Sequence, residues 1–148
     1  FAKNVTGKFN TFDGFVSLDL SNENNNKALI NVSIDSLDLN YKRYKDLLLS
    51  EVFFDAKKFP FGLIDTNNFK FNYEDNTIDL IGELSIKGKS QKIPIYIEVL
   101  KLASELVQIK SEISFSRNDF EIGTGNWKNT TILKDKIKIR ANIFLFKE

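Results

Sequence analysis

The chain has no histidine and no cysteine, one tryptophan, two prolines and seven glycines in 148 residues. Without His or Cys there is no Ser-His-Asp triad, thiolate nucleophile, imidazole proton shuttle, haem-type His ligation or Cys/His zinc site. Any catalysis would rest on Asp, Glu, Lys, Tyr, Ser or Thr. Charge of one sign is also lacking: 21 Lys+Arg stand against 20 Asp+Glu, for a net +1. That balance argues against a dense phosphate-facing surface and against nucleic acid as a partner. No apolar run approaches the roughly 18–20 residues that span a bilayer as a helix. A Cys-free domain suits reducing and oxidising compartments alike. The chain opens at Phe1, with no charged n-region and apolar h-region, and the expectation is a processed product whose signal peptide has been removed.

Phenylalanine is abundant, at 14 residues, and 42 % of the chain is hydrophobic. A period of two dominates. Ile78, Leu80, Gly82, Leu84 and Ile86 alternate with Asp79, Glu83, Ser85 and Lys87, which predicts a half-buried strand of about ten residues. After Gly88–Gln91 the pattern resumes at Ile93, Ile95, Ile97 and Val99. Beyond Leu102–Ser104 it continues through Val107, Ile109, Ile113 and Phe115, which completes an antiparallel meander. Val16, Leu18 and Leu20 precede a polar turn and Ala28, Ile30, Val32 and Ile34 follow it, as in a hairpin. Phe69, Phe71 and Tyr73 are expected to pair with the Ile78 strand. Ile137, Ile139, Ala141, Ile143 and Leu145 form the last strand, and 41–49 is the one helical stretch.

This pattern reads as one all-β domain over 1–148, with seven or eight long strands and one short helix, arranged as a sandwich or a closed barrel. Strands near ten residues span roughly 33 Å. An interior of that length is either an ordinary packed core or a tunnel for an elongated apolar guest.

Several segments together resemble the YceI-like family of bacterial lipid-binding proteins. Gly7-Lys8-Phe9 and Phe12-Asp13-Gly14 resemble its opening elements. Val32-Ser33-Ile34 with Ser36, Lys45-Asp46 with Leu49, and Phe53-Phe54-Asp55 with Phe59-Pro60 resemble its middle block. Leu84 to Lys92, and Phe115-Ser116-Arg117 with Asp119-Phe120 and Ile122-Gly123, resemble its later motifs. The resemblance implies an antiparallel eight-stranded lipocalin-like β-barrel with one short helix, usually dimeric and in many members exported to the periplasm, whose tunnel holds an isoprenoid quinone, a polyprenyl phosphate or a fatty-acid derivative. Two departures stand out: Lys45-Asp46 replaces an Arg-Asp pair, and Glu121 replaces a Gly. The family's first strand is expected to be truncated, with Phe1-Ala2-Lys3-Asn4 as its tail.

Each candidate residue has two readings. Arg117 and Asp119 are head-group contacts at a tunnel mouth or fasteners of a loop. Trp127 is a lid or a plug. Phe53-Phe54 and Phe59-Pro60-Phe61 are an aromatic gate or a packed cap. Lys134, Lys136, Lys138 and Arg140 are a lipid-facing stripe or a solvated face. Asp13, Asp19, Asp35 and Asp38 fall at outward parity or in turns and form no acid–base pair.

The expected function is non-enzymatic binding, transport or sequestration of a long-chain amphiphilic lipid, with no cofactor beyond that lipid and only transient membrane contact. The expected lining is Val16 and Leu18; Ile30, Val32 and Ile34; Phe53 and Phe54; Ile78, Leu80, Leu84 and Ile86; Ile95 and Ile97; Ile113, Phe115 and Phe120; Trp127; Ile139 and Ile143. Arg117, Asp119 and Lys45 are the expected head-group residues. The alternative is a filled barrel that binds a partner protein and no lipid.

Overall fold

The structure, a computed structural model, describes residues 5–19 and 21–147. Leu20 and the segment Phe1-Ala2-Lys3-Asn4 lie outside the described residues. The described residues form ten strands: β1 (Lys8–Phe9), β2 (Phe12–Ser17), β3 (Lys27–Ser33), β4 (Leu37–Asp38), β5 (Phe61–Asn67), β6 (Phe71–Asn72), β7 (Thr77–Ile86), β8 (Lys89–Ala103), β9 (Leu106–Ser116) and β10 (Lys136–Phe146). The single α-helix among the described residues, α1, is Lys42–Leu49. One eight-stranded antiparallel sheet runs in the order β10-β9-β8-β7-β5-β3-β2, with β6 beside β7, and β1 pairs with β4 apart from it.

The sheet curls. Ile64 on β5 and Ile137 and Ile139 on β10 pack against the same core cluster, although β5 and β10 are four places apart in the sheet. Among the described residues no ladder joins β2 to β10, so the architecture is a half-barrel whose two edges stay open.

Alternation sets the two faces. Ile78, Leu80, Leu84 and Ile86 of β7 stand opposite Ile97, Ile95, Gln91 and Lys89 of β8, while Asp79, Ile81 and Glu83 point outward. The β7–β8 turn is the residue pair Lys87-Gly88, both left-handed at φ 54° and 73°. Two consecutive left-handed residues match the twist of a two-residue hairpin. A side chain at Gly88 would also meet the Phe59 ring at 2.9 Å. The predicted turn over 88–91 is therefore shorter than expected, and β8 begins at Lys89, three residues early.

Three expectations change. β5 was not foreseen: Phe61 reads as part of an aromatic cluster, and Gly62, Asp65 and Asn67 are poor strand formers. Pairing with β3 along its full length and with β7 at Leu63–Asp65 overrides that local weakness. Leu18 lies beyond the end of β2 and is exposed, and Ile34 sits in a 3-10 turn rather than in β3. Of Phe69, Phe71 and Tyr73, only Phe71 lies in a strand, opposite Ile78; Phe69 is buried and Tyr73 is exposed.

The core sits at one end of the half-barrel. Phe53, Leu84, Ile86, Ile93, Ile95, Ile113, Phe115, Phe120 and Ile122 form one buried cluster, against which Leu47, Leu48, Trp127 and Leu133 pack. A tryptophan at Leu84 overpacks this filled region, so Leu84→Trp is expected to cost about 1–3 kcal/mol in urea unfolding, where an open tunnel there would tolerate it.

At the other end, Asp19 organises the β2–β3 connection. Its carboxylate accepts from Ser21 N (2.9 Å), Ser21 Oγ (2.7 Å), Asn22 N (3.2 Å) and Asn25 Nδ2 (2.9 Å). These bonds, the Asn25 amide foremost, lower its pKa to about 2. A carboxylate depressed in the folded state stabilises above its unfolded value, about 3.9, and that contribution disappears as pH falls through about 2. Carboxyl NMR titration should place the Asp19 midpoint near 2, with the Ser21 and Asn22 amides moving in step; a midpoint near 4 would contradict the assignment.

Candidate functional site

The inward parity of the long strands forms one continuous apolar face, and its burial changes along the strands. On β9 it runs from Phe115 and Ile113, both buried, to Ser111, Ile109 and Val107, all half-buried. On β8 it runs from Ile93 and Ile95 to the half-buried Ile97 and Val99. On β10, Ile137, Ile139, Ala141, Ile143 and Leu145 are half-buried throughout. Cross-strand register stacks these residues into rows: Leu145 beside Val107, Ile143 beside Ile109 and Val99, and Ala141 beside Ser111 and Ile97. The Ser111 hydroxyl donates to the Tyr96 carbonyl at 2.8 Å, so even this polar member leaves the face without an unmet donor. Small side chains at Ala141 and Ser111 deepen the concave surface.

The packed end is closed by α1 and the β9–β10 connection. Arg117 is 1 % exposed and starts a 3-10 turn, Arg117–Phe120. Its guanidinium donates to three main-chain carbonyls, Lys134 through Nε (2.8 Å), Ile122 through Nη1 (3.0 Å) and Leu133 through Nη2 (2.7 Å), with Asn118 Oδ1 at 3.4 Å. Gly123, at φ 93°, leaves room for this head group, because a Cβ there would lie 2.6 Å from Nη1. Gly123 N and Thr124 N both donate to the Val52 carbonyl, which ties the connection to the segment after α1. Trp127 lies against Phe53 with ring centroids 5.4 Å apart.

These placements sort the expected lining. Ile34, Phe53, Leu84, Ile86, Ile95, Ile113, Phe115 and Phe120 are buried at or near the closed end, and Ile78 is buried beneath the β6 pairing. Val16, Ile30, Val32, Leu80, Ile97, Ile139 and Ile143 are half-buried on the inward parity. Phe54 packs edge-on to Phe9 at 6.2 Å, so Phe53 and Phe54 form a cap rather than a gate. Arg117 is a loop fastener at the closed end, not a head-group contact at a mouth: its donors are held by main-chain carbonyls. Asp119 is exposed, and Lys45 is half-buried on α1. Arg117 and Asp119 lie in the 3-10 turn of the β9–β10 connection, and no hydrogen bond or ion pair links them to Lys45 among the described residues. Trp127 is a plug. On the outer face Glu112 receives Arg140 Nε at 3.0 Å and Lys138 Nζ at 3.7 Å, so that basic stripe is partly neutralised. The Arg140 hydrogen bond first, with both cations aiding, lowers the Glu112 pKa.

Val99, Val107, Ile109, Ser111, Ala141 and Leu145 belong to the half-buried face but not to the expected lining. Their parity in the sequence is the signal that could have included them.

A separate polar cleft of about 490 Å³ lies outside the half-barrel, lined by residues including Glu51, Asp55, Lys58, Lys87, Lys89 and Glu121. Lys87 Nζ donates to the Glu121 carbonyl at 2.7 Å, and burial lowers its pKa against the opposing pull of Asp55, Glu121 and Glu51. Among the described residues no cluster of three potential metal ligands occurs, and no helix is long and apolar enough to cross a membrane.

A family profile described as "YceI-like domain" matches residues 1–145. The chain belongs to the YceI-like family. Similar sequences include a UPF0312 protein of Vibrio vulnificus, 32 % identical over 94 residues, covering 64 % of this chain and 49 % of that protein. Another from Yersinia enterocolitica is 28 % identical over 89 residues, covering 60 % and 45 %. The chain thus spans about half the length of the curated relatives it matches. Among solved structures, Burkholderia cenocepacia BcnA superposes with TM-score 0.85 at 26 % identity over 93 % of this chain and 86 % of the other. The Campylobacter jejuni YceI protein gives 0.86 at 21 %, over 100 % and 88 %. A polyisoprenoid-binding domain from Saccharophagus degradans gives 0.70 at 11 %, over 96 % and 85 %. The YceI-like chain shares their lipocalin-like fold.

Replacing Arg117 takes the donor from the buried carbonyl of Ile122 and from the part-buried carbonyls of Lys134 and Leu133. Arg117→Met is expected to lower stability by about 3 kcal/mol, read by thermal and urea unfolding. An unchanged midpoint would remove Arg117 from its role as the fastener of the closed end.

Proposed function

We propose that this protein binds a long-chain amphiphilic lipid of the isoprenoid or acyl class along its concave face and carries or sequesters it without chemical change. One observation carries the reading: a single apolar parity is packed at one end of the sheet and only half-covered at the other. A half-covered apolar face of that length has the shape and polarity of an extended hydrocarbon. Burial of the guest's chain supplies the affinity, at about 25 cal/mol per Å² removed from water before ordering costs. The structural likeness to a domain that binds polyisoprenoids supports this ligand class. Among the described residues the inward parity of the long strands β7 to β10 carries no acid, and we read the protein as a binding protein, not an enzyme. Periplasmic residence and a homodimeric state belong to the same proposal, tested by cell fractionation and by light scattering.

Two measurements test the ligand. Mass spectrometry of an organic extract, from protein purified without detergent, should show a stoichiometric long-chain species absent from a mock purification. Ala141→Trp places an indole in the half-covered row beside Ser111 and Ile97. It should abolish lipid retention while changing stability by no more than about 1 kcal/mol, because the space is open rather than filled. Lipid retained with the indole shown to fill the row would refute the assignment. A folded protein with an empty extract would favour the filled barrel that binds a partner protein.

A further inference from the structure

The three longest strands outrun the rest of the sheet. The β7–β8 ladder ends at Thr77 opposite Glu98, and beyond it β8, β9 and β10 continue alone to Ala103, Leu106 and Phe146. This three-stranded tip is largely apolar on both faces, interrupted by Gln108 on the outer side and by Lys101, opposite Val107, on the inner side. Its inner side carries Val99, Val107, Ile109, Ile143 and Leu145, all half-buried. Its outer side sets Leu100, Gln108 and Phe144 in one cross-strand row, and Leu106 stands beside Phe146 in the next, with Leu102 at the irregularity between Lys101 and Ala103. Leu100 is 40 % exposed, Leu102 51 %, Phe144 52 % and Phe146 76 %. Elsewhere on the outer face of these strands apolar residues are interspersed with charges, as Tyr96 is with Glu112 and Arg140.

We propose that this tip docks the protein on a phospholipid bilayer. A folded protein partner covers one face of a flat tip, whereas the interfacial layer of a bilayer surrounds both at once. Leu and Phe side chains favour that layer, and exposed Lys101, Lys110 and Lys147 lie where anionic head groups would meet them, against Glu98 and Glu105. Depth is limited to the interface, because the outer edge of β10 has no strand partner among the described residues and unpaired backbone groups do not enter hydrocarbon. The docked tip would turn the half-covered inner rows toward the lipid, so a chain leaving the bilayer would meet apolar side chains along its path. The proposal extends the carrier reading and rests on it only for that path.

Co-sedimentation with phosphatidylcholine–phosphatidylglycerol vesicles tests it. The full chain should bind, and Phe144→Ser combined with Phe146→Ser should weaken partitioning by about tenfold or more. Ile81→Ser removes an equally exposed apolar side chain from the outer face of β7 and should leave binding unchanged. Leu102→Ser provides a second test should the double variant fail to fold by circular dichroism. Absence of vesicle binding by the full chain, or equal binding by the folded tip variants, overturns the proposal. So does a tip variant that converts a dimer to a monomer in size-exclusion chromatography without changing vesicle binding, since the patch would then join two copies of the chain. Docking is read from the pellet and carriage from the organic extract, so either reading can fail alone.

Discussion

Long antiparallel strands with one apolar parity have to cover that parity or leave it to water, and here β8, β9 and β10 run for 15, 11 and 11 residues. The described chain has little outside the sheet to cover faces that long. It concentrates the cover at one end. There α1, the residues after it and the β9–β10 connection converge on Phe115, Ile113 and Ile95. The remaining inner rows stay half-buried, and the proposed ligand face follows from that uneven covering rather than from a dedicated pocket.

Holding the cover in place falls largely to Arg117. A charged group at 1 % exposure with no carboxylate among its hydrogen-bond partners is costly unless hydrogen bonds replace its water. Three main-chain carbonyls from two segments do so and fix the connection in the process. Phe120 and Ile122, which lie within that connection, are then positioned to fill the core, and Gly123 provides the space the guanidinium occupies. Removing water at this end and leaving it at the other gives the half-barrel its direction.

The outer surface follows another logic. Glu112 draws together Arg140 and Lys138, and a stripe that reads as basic in sequence is partly neutral in the folded sheet. Only past the end of β7 does the outer face become apolar. The same strands therefore carry a charged exterior in their middle and an apolar one at their tip.

Period-two alternation made β7, β8, β9 and β10 legible from sequence, because each buries one parity and so writes its pairing face into its own residues. The YceI-like family was recognisable from a separate signal, the ordered set of motifs that runs from Gly7-Lys8-Phe9 to Ile122-Gly123. α1 was legible from its helical spacing. β5 was not: Gly62, Asp65 and Asn67 carry little strand preference, and the strand exists because β3 and β7 flank it. The role of Arg117 was legible only as one of two readings, since a residue that binds carbonyls 16 and 17 positions away leaves no local mark of its partners. Sequence alone determined the all-β class, the inward parity and the absence of His- and Cys-based chemistry. Only the tertiary structure decided which inward residues are packed and which are half-covered, because burial depends on what other segments of the chain bring to each row.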